Sequence, residues 1–260
     1  MRRFFIKKEA IFGKNPAIIG SEAKHIATVL RMKPGDRVLL FDGTGEEFEA
    51  RISSLLNQEV RFDIIGEHFP KSASPVEIIL AQALLKDKKM DMLARQLTEL
   101  GVSMWIPFVS ERSVPNPDSM RFMVRKERWD KIVIEAMKQC RRSTPMRISS
   151  LLTFTECLEI GKTCDYKILF FEEETLSFQA VLNNFNQNPK KIIALLGPEG
   201  GFSLKETEKA RVCGFSTASL GPRILKAETA AVVSSFLIQY LFGDIGRVGQ
   251  KDIDKETTFD

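Results

Sequence analysis

The pattern of apolar and polar positions changes character near residue 75 of the 260-residue chain. Upstream, apolar residues alternate with charged ones in short runs, and Arg37 to Phe41, Glu47 to Leu55 and Glu59 to Ile65 read as strands, with Asp42-Gly43-Thr44-Gly45 as a turn. Phe4, Phe5 and Ile6 form a further strand-like run, and Ser21 to Arg31 reads as a short helix. Strands and turns at this density predict a small barrel. Phe69-Pro-Lys-Ser-Ala-Ser-Pro75 reads as a linker, which places one domain at 1–72 and a second at 73–245, with a polar tail at 246–260 expected to be disordered. Beyond the linker, strands and helices alternate. Val76 to Leu80, Val102 to Val109, Lys167 to Phe171, Ile192 to Leu196 and Thr217 to Leu220 read as strands. Asp87 to Leu100 reads as a helix because Met90, Leu93, Leu97 and Leu100 share one face, and Arg121 to Arg142 as a long polar helix after the break at Pro115 to Asp118. This alternation predicts an α/β domain with a largely parallel sheet.

Two of those strands end in the same way. The runs Ile192 to Leu196 and Thr217 to Leu220 each break at a Gly-Pro pair and hand over to a helix, and two such turns form one site if their strands are neighbours. In Gly197-Pro-Glu-Gly-Gly-Phe-Ser, the glycines permit close backbone approach and leave bare peptide groups for a ligand. Ser203 with Glu206 is a capping-box pattern that starts a helix running to Cys213, with Gly214 as its stop. The turn lacks the Gly-Lys-Ser/Thr of a phosphate loop and the spacing of a dinucleotide fingerprint. The second turn, Gly221-Pro-Arg-Ile-Leu-Lys-Ala-Glu, places Arg223, Lys226 and Glu228 ahead of the apolar run Ala230 to Phe242, which is too short and too interrupted by polar residues to span a membrane. Glu228 at that helix start has two readings, a cap on orphan N–H groups or a catalytic carboxylate.

Charge and composition narrow the chemistry. The net charge of +4 permits nucleic acid without demanding it. Between Glu111 and Ser150, however, ten Lys or Arg stand against five acids, and this belt reads either as a solvated helix face or as a phosphate-binding surface. Arg2 and Arg3 flank Phe4 and Phe5, which suit either RNA or a core. The four cysteines contain no Cys-x-x-Cys pair and the two histidines lie far upstream of them, so neither a metal site nor a disulfide framework is indicated. No histidine follows His68, so proton transfer around the turns must use carboxylates, amines, guanidinium-polarised groups or water. No segment resembles a signal peptide, and the cytoplasm is the expected location.

The pairing of Leu-Leu-Gly-Pro-Glu-Gly-Gly-Phe-Ser (195–203) with Leu-Gly-Pro-Arg-Ile-Leu-Lys-Ala-Glu-Thr-Ala (220–230) resembles the bacterial ribosomal RNA uridine-N3 methyltransferases, the RsmE family of the SPOUT superfamily. His25 to Arg31, Thr98-Glu99-Leu100-Gly101-Val102, Ser110-Glu111-Arg112 and Gln139-Cys140-Arg141-Arg142 extend the resemblance over nearly the whole chain. Lys226 stands where the family more often has Arg, and Arg95-Gln96 where it has a Gln-Lys pair. The resemblance implies a SPOUT domain with a C-terminal trefoil knot behind a PUA-like RNA-binding β-barrel, a homodimer, and S-adenosyl-L-methionine as cofactor. It implies 16S ribosomal RNA, within the small ribosomal subunit, as partner, and neither membrane nor metal. Its cofactor would be held by Leu196, Gly197, Pro198, Glu199, Gly200, Gly201, Leu220, Gly221, Ile224 and Leu225, with Leu169 and Phe171 at the end of a neighbouring strand. Arg223 and Glu228 are the candidate catalytic pair; Arg2, Arg3, Arg31, Arg112, Arg141, Arg142 and Lys226 are the candidate RNA contacts. Two rival readings are a 2'-O-ribose methyltransferase of the same superfamily and a non-catalytic ribosome-binding or assembly protein. An enzyme acting on nucleotide phosphates ranks below both, for want of a phosphate loop.

Overall fold

The computed structural model describes residues 1–11, 16–56, 58–68, 74–86, 88–183 and 188–247. Residues 69–73 of the expected linker, Asp87 at an expected helix start and residues 248–260 of the expected tail lie outside these. The chain divides into two compact units, one of Met1–Ala73 with Glu127–Met146, the other of Ser74–Lys126 with Arg147–Asp260. A boundary near residue 73 is therefore only one of the joints.

The first unit contains β1 (Arg2–Phe5), α1 (Lys8–Ile11), β2 (Ala17–Ile19), α2 (Ser21–Lys24) with a π-helical continuation at His25–Val29, β3 (Arg37–Phe41), β4 (Glu47–Leu56) and β5 (Glu59–His68). Their sheet runs β1-β3-β4-β5-β2, parallel between β1 and β3 and antiparallel elsewhere. Irregularities between Glu49 and Ala50 and between Ile52 and Ser54 shift the β4–β5 register, and bulges of this kind bend a sheet. The alternating apolar residues Phe4, Val38, Leu40, Phe48, Ala50, Ile52, Val60 and Phe62 point into one core with Ile18 and Ile26. Each such side chain, fully buried, contributes roughly 1.5–3 kcal/mol.

Arg3 corrects one expectation. Its guanidinium is buried, ion-paired with buried Glu47 and stacked 4.8 Å from the centre of the Phe41 ring. It also donates to the main-chain oxygens of Met137 and Arg142, both at 3.3 Å. With its two terminal nitrogens engaged inside the unit, Arg3 serves as a structural tie and is not free to reach phosphates in this arrangement, where an unpaired buried charge would be strongly destabilising. Of the two aromatics beside it, Phe4 is core.

The second unit holds β6 (Glu77–Ala83), α3 (Lys89–Glu99), β7 (Met104–Val109), α4 (Ser119–Cys140), β8 (Arg147–Ile148), β9 (Leu152–Thr153), α5 (Phe154–Gly161), β10 (Tyr166–Phe170), α6 (Phe178–Leu182), β11 (Lys191–Leu196), α7 (Leu204–Val212), β12 (Ser216–Ala218) and α8 (Ala227–Phe242). From Glu127 onward, α4 belongs to the first unit. The sheet order is β12-β10-β11-β6-β7-β8, with β9 also on β7, and every pairing is parallel. Burial on both faces explains why these strands read as continuous apolar runs. Phe108, Phe154, Leu169, Ile193, Leu195, Phe202 and Phe215 pack on one face together with residues of α5 and α7. α3 and α8 pack against each other, and α8 lies on β6 and β11. Among the described residues, no helix is long and apolar enough to cross a membrane.

Candidate active site

In a parallel sheet all strands end at one edge, and here the carboxyl ends of β10, β11 and β12 open together on a cavity of about 460 Å³, with Lys89 of α3 on its wall. The two Gly-Pro turns do not follow adjacent strands. β10 lies between β11 and β12, so the turns flank its end and share the cavity across Phe170, Phe171 and Glu172.

The first turn is held from three sides. Buried Gln82 at the end of β6 donates from Nε2 to the oxygens of Gly197 at 2.9 Å and Ala83 at 3.0 Å. A Cβ on Gly197 would lie 3.2 Å from the carbonyl carbon of Gly201 and 3.3 Å from the nitrogen of Phe202, so the two ends of the turn touch only because residue 197 lacks one. Gly201 has φ +67°, and a Cβ there would collide with the carboxylate of Glu172. The capping box forms as the sequence predicts: Ser203 Oγ accepts from the Glu206 N–H at 3.2 Å, and Glu206 Oε2 accepts from the Ser203 N–H at 2.9 Å. The other oxygen of Glu206 accepts from Ser110 Oγ at 2.9 Å and from the Glu111 N–H at 3.0 Å, and Ser203 Oγ donates to Glu111 at 2.6 Å. Arg112 then donates to the Gly200 oxygen at 2.9 Å. The segment Ser110 to Arg112 thus clasps the outside of the turn.

The second turn leans on the segment after β10. Phe171 N donates to the Ala218 oxygen at 3.0 Å and Ser219 N to the Leu176 oxygen at 2.8 Å, while Ser219 Oγ accepts from Gly221 N at 3.2 Å. Glu174 closes this joint, accepting from Thr217 Oγ1, from Arg211 at 2.8 Å and from its neighbours' N–H groups at 2.9 and 3.4 Å. Burial pushes its carboxyl up, but the bonds from Thr217, Arg211 and the backbone outweigh that and bring it down to about 2, from an ordinary 4.5. A folded-state value below the unfolded one stabilises at pH above 4.5 and is lost as pH falls from 4.5 through 2. Glu174→Gln should therefore cost about 1–3 kcal/mol at neutral pH. That deficit should vanish in urea unfolding near pH 2, and a pH-independent deficit would contradict the assignment.

α8 begins just ahead of its apolar run. Lys226 is its N-cap residue and makes no side-chain capping bond, and Glu228 lies in the first turn. Glu228 Oε2 is buried and makes no hydrogen bond; its ion-pair partner is Lys89 Nζ, 3.4 Å away. Glu199, on the first turn, is 2.9 Å from the same ammonium and also accepts from the Lys86 N–H at 3.1 Å. Burial opposes the charge of Glu199, yet the bond from Lys89 and backbone donors hold its carboxyl below the usual range. Lys89 is in turn held above the usual amine range, chiefly by its bond to Glu199.

Most residues read from the sequence meet at this cavity. Phe171, Leu196, Gly197, Pro198, Glu199, Gly201, Leu220, Gly221, Ile224 and Leu225 line it, together with Arg223, Lys226 and Glu228. Leu169 and Gly200 do not. Successive strand residues point to opposite faces, and Leu169 falls in the core while Phe170 reaches the cavity. Gly200 sits on the outer side of its turn, against Arg112. Sequence reasoning missed Glu172 and Lys89; the signal for Lys89 was the lysine-rich run Lys86, Lys88, Lys89 between a strand and a helix, at the edge where ligands of parallel sheets lie. Of the remaining arginines, Arg2, Arg31, Arg112 and Arg141 are exposed and Arg142 is half-buried. Among the described residues, no group of three or more His, Cys, Asp or Glu is placed to hold a metal ion.

Comparison with known proteins agrees with this geometry. Residues 72–239 match the model of an RNA methyltransferase domain, and residues 18–65 that of an RNA methyltransferase PUA domain. The ribosomal RNA small subunit methyltransferase E of Bacillus subtilis is 30% identical over 248 residues, covering 92% of this chain and 96% of its own. That of Buchnera aphidicola from Acyrthosiphon pisum is 31% identical over 227 residues, covering 87% and 88%. A crystal structure of the Neisseria gonorrhoeae enzyme bound to S-adenosyl methionine superposes with TM-score 0.83 at 30% identity, over 94% of this chain and 99% of the other. A putative methyltransferase from Legionella pneumophila in complex with the same cofactor does so with TM-score 0.84 at 28% identity, over 94% and 99%. With both of its domains matched and its relatives covered from end to end, the chain belongs to the ribosomal RNA small subunit methyltransferase E family.

Proposed function

We propose that this protein transfers the methyl group of S-adenosyl-L-methionine to N3 of a uridine in the 16S RNA of the small ribosomal subunit. The observation that carries the reading is the meeting, in one cavity, of a bare-backbone turn with Arg223 and Glu228. The residues fit the cofactor. The cavity has the size of a small-molecule site, and the glycines at 197 and 201 let the first turn close on itself and on Glu172 while its main chain forms part of the wall. Leu196 to Glu199 with Gly201, and Leu220, Gly221, Ile224 and Leu225, would hold it, with Phe170 and Phe171 as an apolar floor. When bound, adenosylmethionine supplies a methyl group already made electrophilic by its sulfonium.

The remaining chemistry falls to the protein. Uridine N3 is an imide nitrogen whose proton must leave before it becomes a good nucleophile. Glu228 presents a carboxylate to the cavity and is suited to accept that proton. Arg223 faces the same cavity and is suited to stabilise negative charge on a uracil oxygen. Exposed Arg2, Arg31, Arg112, Arg141 and Lys226, with half-buried Arg142, supply cations for phosphates. Phe236, Tyr240 and Leu241 expose a stripe on α8, with the first two rings stacked 6.0 Å apart, and this stripe supports a homodimer through that helix. A 16S RNA substrate places the enzyme in the cytoplasm.

The test is methyl transfer from labelled adenosylmethionine to small subunits from a strain lacking this gene, followed by mass spectrometry of the nucleosides. Appearance of 3-methyluridine at one position is the expected result. A 2'-O-methylated nucleoside would overturn the reaction while keeping the cofactor, and cofactor binding without transfer would overturn the substrate.

A further inference from the structure

Six charged residues line the cavity: Lys89, Glu172, Glu199, Arg223, Lys226 and Glu228. Lys89 joins the two turns, with its ammonium 2.9 Å from Glu199 on the first and 3.4 Å from Glu228 in the first turn of α8. Its position in the chain is not explained by helix stability. Lys89 is the first residue of α3, preceded by Lys88 as N-cap, and cations at a helix N-terminus oppose the positive end of the dipole. The two carboxylates that converge on it supply the missing reason.

We propose that Lys89 is the positioning residue for Glu228, aiming the carboxylate into the cavity where it takes the uracil N3 proton. This rests on Glu228 as the proton acceptor. In the step, the N3–H bond breaks, the proton joins a Glu228 oxygen, and its electron pair stays on the uracil. Glu228 passes from charge −1 to 0 and the uracil from 0 to −1, while Lys89 keeps all its protons. The role of Glu199 follows from the same geometry: when Glu228 becomes neutral, the ammonium keeps an anionic partner and is never left unpaired. Glu199 is also bound to the main chain at Lys86, so this partner is anchored on both sides of Lys89.

The experiment compares single-turnover methyl transfer to unmethylated small subunits by wild type, Lys89→Gln, Lys89→Arg, Glu228→Gln and the Lys89→Gln/Glu228→Gln double variant. Cofactor affinity by calorimetry and thermal unfolding are measured on each. Lys89→Gln should slow transfer about 30-fold or more with cofactor Kd within about threefold of wild type. Lys89→Arg, which keeps the charge, should recover most of that rate. The double variant should be no slower than Glu228→Gln alone, since a residue acting through another adds nothing once that other is gone. Wild-type rates in Lys89→Gln, a loss unchanged in Lys89→Arg, or a further loss in the double variant would each overturn the role of Lys89 while leaving Glu228 as the acceptor. A wild-type rate in Glu228→Gln would instead remove the reading on which the proposal rests.

Discussion

Glu228→Gln is expected to slow methyl transfer by a factor of about 10²–10⁴, the range by which a positioned proton acceptor accelerates a reaction. The amide matches the carboxylate in size and can still occupy the first turn of α8, so the fold should persist. Lys89 keeps Glu199 as its partner, so the cation is not left unpaired. What is lost is the ability of a cavity-lining carboxylate to take a proton. Adenosylmethionine affinity, measured by calorimetry, should stay within about threefold of wild type, because the loss falls on the transition state and not on ground-state binding. A single-turnover rate near wild type with bound cofactor would exclude Glu228 as the acceptor and return it to a purely structural place at the helix start.

Gly197→Val is expected to weaken adenosylmethionine binding by roughly 5–150-fold, equivalent to about 1–3 kcal/mol of overpacking. The added atoms have nowhere soft to go. Even the first of them would press on the carbonyl carbon of Gly201, which lines the cavity, and on the nitrogen of Phe202 behind it. Moving that wall also strains the bond from Gln82 to the Gly197 oxygen. Calorimetric titration with the cofactor is the measurement, paired with thermal unfolding to show that the variant remains folded. Gly201→Ala provides a contrast, since the atom it meets is the mobile end of the Glu172 side chain. Its penalty should come mainly from the left-handed backbone, about 1 kcal/mol at the lower end for such positions. Unchanged affinity in Gly197→Val would mean that the first turn does not contact the cofactor.

The parts legible in the sequence were those fixed by local chemistry. Ser203 and Glu206 marked the start of α7 because a capping box is a three-residue event. The apolar runs of β6, β7, β10 and β11 announced a parallel sheet because both faces are buried. The start of α8 was legible to within a residue, because Glu228 and Thr229 stand just ahead of its apolar run as a polar first turn. β8 and β9, two residues each, carry no period to read, and α5 and α6 were not anticipated. In the site, the two Gly-Pro turns were visible as motifs, but their separation by β10 is a matter of strand order that no local pattern encodes. Lys89 and Glu172 join the site for the same reason, arriving from α3 and from just beyond β10. Arg3 looked like a surface cation beside aromatics because nothing near it in sequence discloses Glu47 or the carbonyls of residues 137 and 142.

The discontinuous make-up of the first unit bears on how the chain is born. Its sheet is complete in sequence by His68, yet the oxygens that receive Arg3, and the Ser143 hydroxyl that donates to Glu47, come from residues 127–146. A ribosome adding about 5–20 residues per second makes the intervening stretch in roughly 4–15 s. Throughout that interval the Arg3–Glu47 pair would stand without its lid, and water would have to serve in place of the missing partners. The amino-terminal unit of this family member is thus begun at once but closed only when residue 146 has been made, well after its own sheet is complete.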